Sequence, residues 1–428
     1  MPGSQAGRWR MQAAVGVLIF LAMVTPSLSQ SKRLWVLRAP GEMAEYDPTT
    51  FAQKQTVKVP AEALKSPPNL LVNHLGQMLF AASVTLPLEE NDPDSGEKVW
   101  FWDGRTASTP ARGITRTTST TGSNLAIREL APAPTLSEDG SHLYWFANQA
   151  RRLQRDDVDL STQTNWQAWR TDLTGAGREE IASTSFPDCR CTTGGCEETC
   201  PYGKSWVPDH GVAHFFLLTQ LVAGQTQPTY KASFRYDESA GKWTATAIDP
   251  PLKRILDAAD SNTILEAIPD TGCCGWANQS DDRTQLHLRG KTLTIFDEQA
   301  AYKNPDYDVS FYTENGKLSP ELGFVAMTIA ATAGANQPIQ LAEEGQANPQ
   351  ESEAIRKALA ELPAVEVKSV EDAPQRIVYL PHATLVGWIS EKELLVVENH
   401  LLVGYNVATG ARRKSSIRVE DAAHVFLR

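Results

Sequence analysis

Short apolar runs, four to eight residues long and separated by turns rich in Gly, Asp and Pro, recur along the chain from residue 31 onward. Such runs read as strands rather than helices, because they are too short for helices and their borders are turn-forming. The clearest unit spans residues 133–177. It opens on the turn Ser137-Glu138-Asp139-Gly140, continues through Leu143-Tyr144-Trp145-Phe146, and returns through Trp166-Gln167-Ala168-Trp169-Arg170-Thr171-Asp172-Leu173. The turn Thr174-Gly175-Ala176-Gly177 closes it, and a further strand is expected at 179–183.

Five other units follow the same pattern less completely. The first gives strands at 34–38, 42–46 and 56–59, one fewer than a four-stranded unit requires. The second gives 70–74, 78–84, 98–103 and a Thr/Ser-rich run. The fourth gives 212–221, 230–236 and 243–248, and the fifth 264–268, 285–288 and 292–296, after which the pattern is hard to follow beyond Lys303. The last gives 384–389, 393–397, 401–406 and 415–419, leaving a strand-like remnant at 424–427 that belongs to no preceding unit. That remnant fits the strand missing from the first unit, a device that leaves no open edge where a circle of sheets meets itself.

The reading is therefore all-β: a β-propeller over residues 30–428, with six blades favoured and seven the alternative, closed by the C-terminal strand joining the N-terminal blade. Paired β-sandwiches are the competing architecture. One helix interrupts the strands. Asn348-Pro349 provides a cap and a first-turn proline, Pro363 stops the element, and Ile355, Ala358, Leu359 and Leu362 form one apolar stripe. The loose residues before it make 330–365 a flexible segment with a helix inserted in the last part of the propeller.

The motif from Leu136 to Phe146, followed by Trp169-Arg170-Thr171-Asp172-Leu173-Thr174-Gly175, resembles the WD-like repeat of TolB-type periplasmic propellers. Leu401 to Gly410 resembles the second half of that repeat. The resemblance covers a minority of the chain and implies a six-bladed propeller engaged in protein interaction within the cell envelope. It implies no catalytic residues.

The N-terminus changes the compartment. Arg8 and Arg10 precede an apolar stretch of 14 residues, 11–24, and then Pro26 and the small-residue site Ser27-Leu28-Ser29. This is the plan of a secretory signal, and the stretch falls short of the roughly 20 residues that span a bilayer. Residues 1–29 are thus expected to be removed and the protein to reside in the periplasm or outside the cell. The net charge of −11 becomes more negative without Arg8 and Arg10. An acidic chain excludes nucleic acid as a natural partner, since phosphate neutralisation needs clustered Lys and Arg.

Six cysteines then become candidates for disulfides. Cys189, Cys191, Cys196 and Cys200 lie in a segment, 186–210, read as a Cys-rich loop insert, and Cys273 and Cys274 are adjacent. The C-x-C-x4-C-x3-C spacing is not that of a structural zinc site. Asp209 and His210 form a possible acid–base pair, and Asp270, Trp276, Asp282 and Arg283 cluster in sequence near the second cysteine group as candidate pocket residues. His210 and His214 have metal-ligand spacing only on a helix, and their surroundings read as strand. The oxygen-rich run from Asn91 to Glu97 lacks a full calcium-loop series and reads as a turn.

No catalytic residues, metal or cofactor are assigned, because no phosphate loop, nucleophile elbow, H-E-x-x-H or dinucleotide fingerprint occurs. The leading expectation is an exported scaffold that binds another envelope or extracellular protein or a small ligand, with no membrane insertion after signal cleavage. The alternative is a hydrolase or lyase acting on glycan or peptide at one channel mouth. A sensor centred on the Cys-rich segment is the third reading.

The cysteine reading has a direct check. The mature protein, treated with an alkylating agent before reduction, should gain no mass, and after reduction it should gain six adducts; labelling of most thiols without reductant would overturn the disulfides.

Overall fold

The computed structural model describes residues 32–38, 41–59, 71–72, 78–85, 95–102, 112–117, 127–130, 135–136, 141–152, 160–172, 179–191, 202–206, 213–220, 229–239, 242–260, 262–268, 282–302, 309–332 and 349–428. Strands dominate them. β1 (Leu34–Arg38), β2 (Glu42–Tyr46) and β3 (Gln53–Lys58) belong to sheet 1, and β4 (Leu71–Val72), β5 (Met78–Thr85), β6 (Ser95–Trp102) and β7 (Arg112–Thr117) form sheet 2. Sheet 3 holds β8 (Ile127–Leu130), β9 (Thr135–Leu136), β10 (His142–Arg152), β11 (Leu160–Asp172) and β12 (Glu179–Cys191).

Sheet 4 consists of β13 (Tyr202–Trp206), β14 (Ala213–Gln220), β15 (Thr229–Ser239) and β16 (Lys242–Ile248), and sheet 5 of β17 (Arg254–Asp260), β18 (Thr263–Ile268), β19 (Arg283–Leu288) and β20 (Lys291–Asp297). After the short helix α1 (Glu298–Tyr302), sheet 6 is built from β21 (Phe311–Leu318), β22 (Phe324–Ala331), β23 (Ala364–Ser369) and β24 (Arg376–Pro381), with α2 (Pro349–Glu361) between its second and third strands. Sheet 7 contains β25 (Ala383–Ser390), β26 (Glu393–Glu398), β27 (Leu401–Asn406) and β28 (Arg412–Arg418). The last strand, β29 (Val425–Leu427), lies beside β1, pairing Trp35 with Phe426 and Val36 with Val425.

Seven antiparallel sheets thus occur among the described residues, six of four strands and one, sheet 3, of five; apart from β29 beside β1 and β8 beside β10, neighbours in each sheet are consecutive along the chain. A series of antiparallel sheets of four strands, five in sheet 3, packed one on the next, is that of a β-propeller. Six of the seven carry the units read from the sequence. Sheet 6 is the addition, and it escaped because 32 residues, the helix α2 among them, separate β22 from β23. Strands β13 and β17 were also missed. β13, with the end of β12, lies inside the segment expected to be a Cys-rich loop, so that segment is strand at both ends.

Burial explains the composition of the strands. In β26, Leu394, Leu395, Val396 and Val397 are all buried, because each face of sheet 7 meets a neighbouring sheet. Strands covered on both faces read as continuous apolar runs instead of alternating ones. The edge strands read differently: β3 and β28 are largely exposed and carry Lys, Gln and Arg, which discourages pairing with another chain. Between sheets 5 and 6 the core includes Leu265, Leu286, Phe296, Phe311 and Met327, and Ile355 and Leu359 of α2 enter the same cluster. The helix is therefore packed on a sheet face through the predicted stripe. Among the described residues no helix is long and apolar enough to cross a membrane.

Sheets 7 and 1 share a core of Leu34, Val36, Leu395, Leu402, Ile417 and Val425. Polar contacts reinforce the junction. Lys32 Nζ donates to the Trp388 carbonyl at 2.8 Å, and Arg428 Nε donates to the Val72 carbonyl at 2.8 Å, reaching sheet 2. Asp47 turns the chain beneath Arg413, accepting the amides of Thr49 and Thr50 at 2.9 Å each. Those bonds, chiefly that from Thr50, hold its carboxyl below the usual range. Burial pushes the phenol of Tyr302 up where it stacks on Phe311 at 4.0 Å. Burial, followed by the neighbouring Glu361, raises Tyr379 to about 12.

Glu391, in the turn between β25 and β26, clamps the corresponding turn of sheet 6. Its carboxylate accepts from Ser319 Oγ at 2.9 Å and from the amides of Glu321 and Gly323 at 2.7 and 3.0 Å. A Cβ at position 323 would meet that carboxylate, so a larger residue there requires the Glu391 side chain to move. Replacing Glu391 with Ala should cost about 1–3 kcal/mol, the usual loss when hydrogen bonds to a charged acceptor disappear. Urea unfolding checks this: the midpoint falls with an unchanged slope, whereas an unchanged midpoint shows that the clamp contributes nothing.

Candidate functional site

Sheet 5 has two unlike faces. Alternation along β18 sends Leu265 and Ala267 into the core shared with sheet 6, while Ile264, Glu266 and Ile268 face the other way. Register then places Gln285 of β19 opposite Glu266 and His287 opposite Ile264, on that second face. The β19–β20 hairpin holds this register through Arg289 and Gly290, whose φ values of 48° and 84° suit a tight two-residue turn.

The second face looks toward sheet 4, where Ser233 and Arg235 of β15 pair with Ile248 and Thr246 of β16 and so share one side. Residues 249–253 cross from β16 to β17 between the two sheets. Ser233, 1% exposed, accepts the Leu252 amide on its Oγ at 2.9 Å, and Glu266 accepts the Lys253 amide on Oε1. The crossing segment is thereby stitched to both sheets. A cavity of about 350 Å³ lies between them, lined by Arg235, Ile248, Lys253, Ile264, Glu266 and His287, with Pro250, Pro251, Leu252, Asn262, Ile268, Gln285 and Gly290 completing the walls and Asp249 at the exposed rim.

Glu266 and His287 are the chemical centre of this cavity. Glu266 is 4% exposed, and its Oε2 lies 2.7 Å from Nε2 of the half-buried His287. A carboxylate only accepts, so Nε2 carries the hydrogen, and Nδ1 faces Thr292 Oγ1 at 3.3 Å. Both carboxylate oxygens are therefore engaged, one by backbone and one by imidazole. The pair can orient a histidine toward a ligand, donate and accept hydrogen bonds, and move a proton.

Of the residues expected from sequence, Asp282 and Arg283 are described, and neither lines the cavity. Asp282 is a buried anchor for the next sheet, accepting from Ser310 Oγ at 2.8 Å, and its carbonyl accepts the Glu298 amide. Arg283 pairs with Asp297 at 3.3 Å near the exposed end of β19. Asp209, His210, Asp270 and Trp276 lie outside the described residues, as do Cys196, Cys200, Cys273 and Cys274. Cys189 and Cys191 stand on β12 opposite Thr162 and Leu160 of β11, and His214 stands on β14, a strand as its neighbours imply. Among the described residues no group of three or more metal-binding side chains occurs.

Sequence reasoning missed Glu266 and His287. Two signals were present: a carboxylate inside the otherwise apolar run Thr263-Ile264-Leu265-Glu266-Ala267-Ile268, and a histidine on the expected next strand at the matching parity. A charge seldom sits buried in a strand without a partner.

No family model matches this chain, and no curated relative does. Among solved structures it is similar to dipeptidyl peptidase 4 of Porphyromonas gingivalis, with a TM-score of 0.38 and 10% identity over 91% of this chain and 52% of that one. It is also similar to the dihydro-heme d1 dehydrogenase NirN (0.38, 9%, over 90% and 73%) and to the polysaccharide lyase Uly1 (0.34, 10%, over 67% and 56%). The chain spans about half the length of the first. Likeness at this level assigns no activity.

The engaged state of Glu266 predicts an asymmetry between variants. His287→Ala leaves the buried carboxylate short of one donor and should cost about 1–3 kcal/mol, whereas His287→Gln, which retains an N–H, should cost less. Thermal unfolding of both variants checks the pair; equal melting temperatures would show that the contact is not held in solution.

Proposed function

We propose that the chain is an exported β-propeller of seven blades, closed by β29, that works as a ligand-binding module with its site in the cavity between sheets 4 and 5. The signal-like residues 1–29 support export. Blade number is supported by the sheet count and by the shared core that sets sheet 7 against sheet 1. Binding rests on one observation: a segment tied to both sheets encloses a cavity of about 350 Å³ whose walls are mainly apolar and whose few polar groups converge. Ligand sites are commonly built this way, as pre-formed concave surfaces with a small polar set.

The Glu266–His287 pair favours a second reading, a hydrolase or lyase using His287 as general acid or base. Fold analogy does not choose between the two, since propellers serve both. A fragment screen on mature protein labelled at isoleucine methyls separates them. Binders should shift Ile248, Ile264 and Ile268 before other methyls. Turnover of a bound fragment that disappears in His287→Gln selects the enzyme; binding without turnover selects the module. Hits confined to other surfaces overturn the cavity as the site.

A further inference from the structure

We infer that Thr292 is the nucleophile of an ester-hydrolysing site at this cavity, with His287 as its base and Glu266 positioning that base; this rests on the hydrolase reading of the cavity. Hydrogen-bond directions come first. Glu266 is 4% exposed and takes Nε2–H of His287 on Oε2 at 2.7 Å. Nδ1 is then the nitrogen left to accept, and Thr292 Oγ1 stands 3.3 Å from it, placed to donate. Carboxylate, imidazole and hydroxyl thus form one chain of bonds, in the order that joins an orienting group, a base and the hydroxyl it activates. Such a set is recognised by geometry and roles, not by spacing along the chain.

Register builds it. Thr292 of β20 pairs with His287 of β19, which pairs with Ile264 of β18, so the three side chains share one face. Glu266 lies on that face two residues beyond Ile264, and its Oε1 is held by the Lys253 amide, so the carboxylate is tied at both oxygens. Thr292 is exposed, which leaves its hydroxyl open to a substrate. Asn262 and Gln285, both in the cavity wall, flank His287. Gln285 lies two residues before it, and the Asn262 carbonyl accepts the amide of Arg289, two residues after it. Among the described residues neither side-chain amide has a hydrogen-bond partner. Their N–H groups can therefore serve a carbonyl oxygen that gains charge.

The chemistry balances with water as the only co-reactant. Thr292 Oγ1 bonds to the ester carbonyl carbon while its proton passes to Nδ1 of His287. The bond from that carbon to the alkoxy group breaks, and Nδ1 gives the proton to the departing alkoxide, releasing an alcohol. Water then attacks the acyl carbon, its proton going to Nδ1. The bond to Oγ1 breaks, Oγ1 takes the proton back, and a carboxylic acid leaves. Glu266 faces the positive charge that the ring carries between these transfers. The lining sets the acyl group: Ile248, Leu252, Ile264 and Ile268 offer an apolar bed. At about 350 Å³ the space is near the lower end for ligand cavities, so the acyl chain is short.

The test gives 4-nitrophenyl butanoate to the full mature protein, follows release of nitrophenolate by absorbance, and maps acid-quenched samples by peptide mass spectrometry. Turnover and a butanoyl adduct on Thr292 are expected. Thr292→Val should abolish both and Thr292→Ser should keep both. His287→Gln should slow turnover about a hundredfold or more, the usual worth of a general base. Circular dichroism and melting confirm that each variant folds. Turnover unchanged in Thr292→Val, or an adduct confined to lysines, overturns the nucleophile. Turnover lost in His287→Gln but kept in Thr292→Val shows the base acting on water directly; the nucleophile then falls and the hydrolase reading stands. If no ester is cleaved while fragments still occupy the cavity, the catalytic inference falls and the binding module stands. If nothing occupies the cavity, both fall.

Discussion

Sheets 6 and 7 each have two faces that must leave water, and that requirement organises their packing. A sheet apolar on both sides cannot be satisfied by one partner, so each recruits a neighbour on either hand. Sheet 7 illustrates this: one side of β26 enters a core with sheet 6 and the other a core with sheet 1. The pairing of β29 with β1 follows from the same need at the two ends of the series, and the polar edge strands limit growth in the remaining direction.

Apolar faces alone slide, and buried polar groups set the alignment between sheets. The same device recurs: a side chain on one sheet accepts a backbone amide from the next. Asp257 of sheet 5 accepts the Leu318 amide of sheet 6 at 2.8 Å, Thr328 of sheet 6 accepts the Leu385 amide of sheet 7 at 2.9 Å, and Glu391 returns the arrangement from sheet 7 to sheet 6. Buried donors and acceptors need partners, so such bonds favour one relative position over its neighbours. The cavity uses the device in altered form. Ser233 and Glu266 accept amides from the crossing segment instead of from the facing sheet, and the two sheets are left apart with space between them. A face that would otherwise have closed on apolar contacts carries Glu266, Gln285 and His287.

The sequence by itself determined the all-β class, the turns and most strand positions, because strand-length apolar runs and turn residues act locally. β1 and β2 were legible to the residue, and so was the role of 424–427 as the strand missing from the first unit. The helix at α2 was legible to within one residue at each end from its cap, its stripe and Pro363. Sheet 6 was not, since β22 and β23, which pair directly, are separated along the chain by a long segment that includes α2. The candidate site lay further out of reach. Glu266 and His287 are 21 residues apart and meet because a hairpin register places them diagonally on one face. Arg235 joins them only because sheet 4 packs opposite. Parity along a strand is written in the chain, but which parity faces a cavity and which a core depends on the neighbouring sheet, and only the tertiary structure decides that.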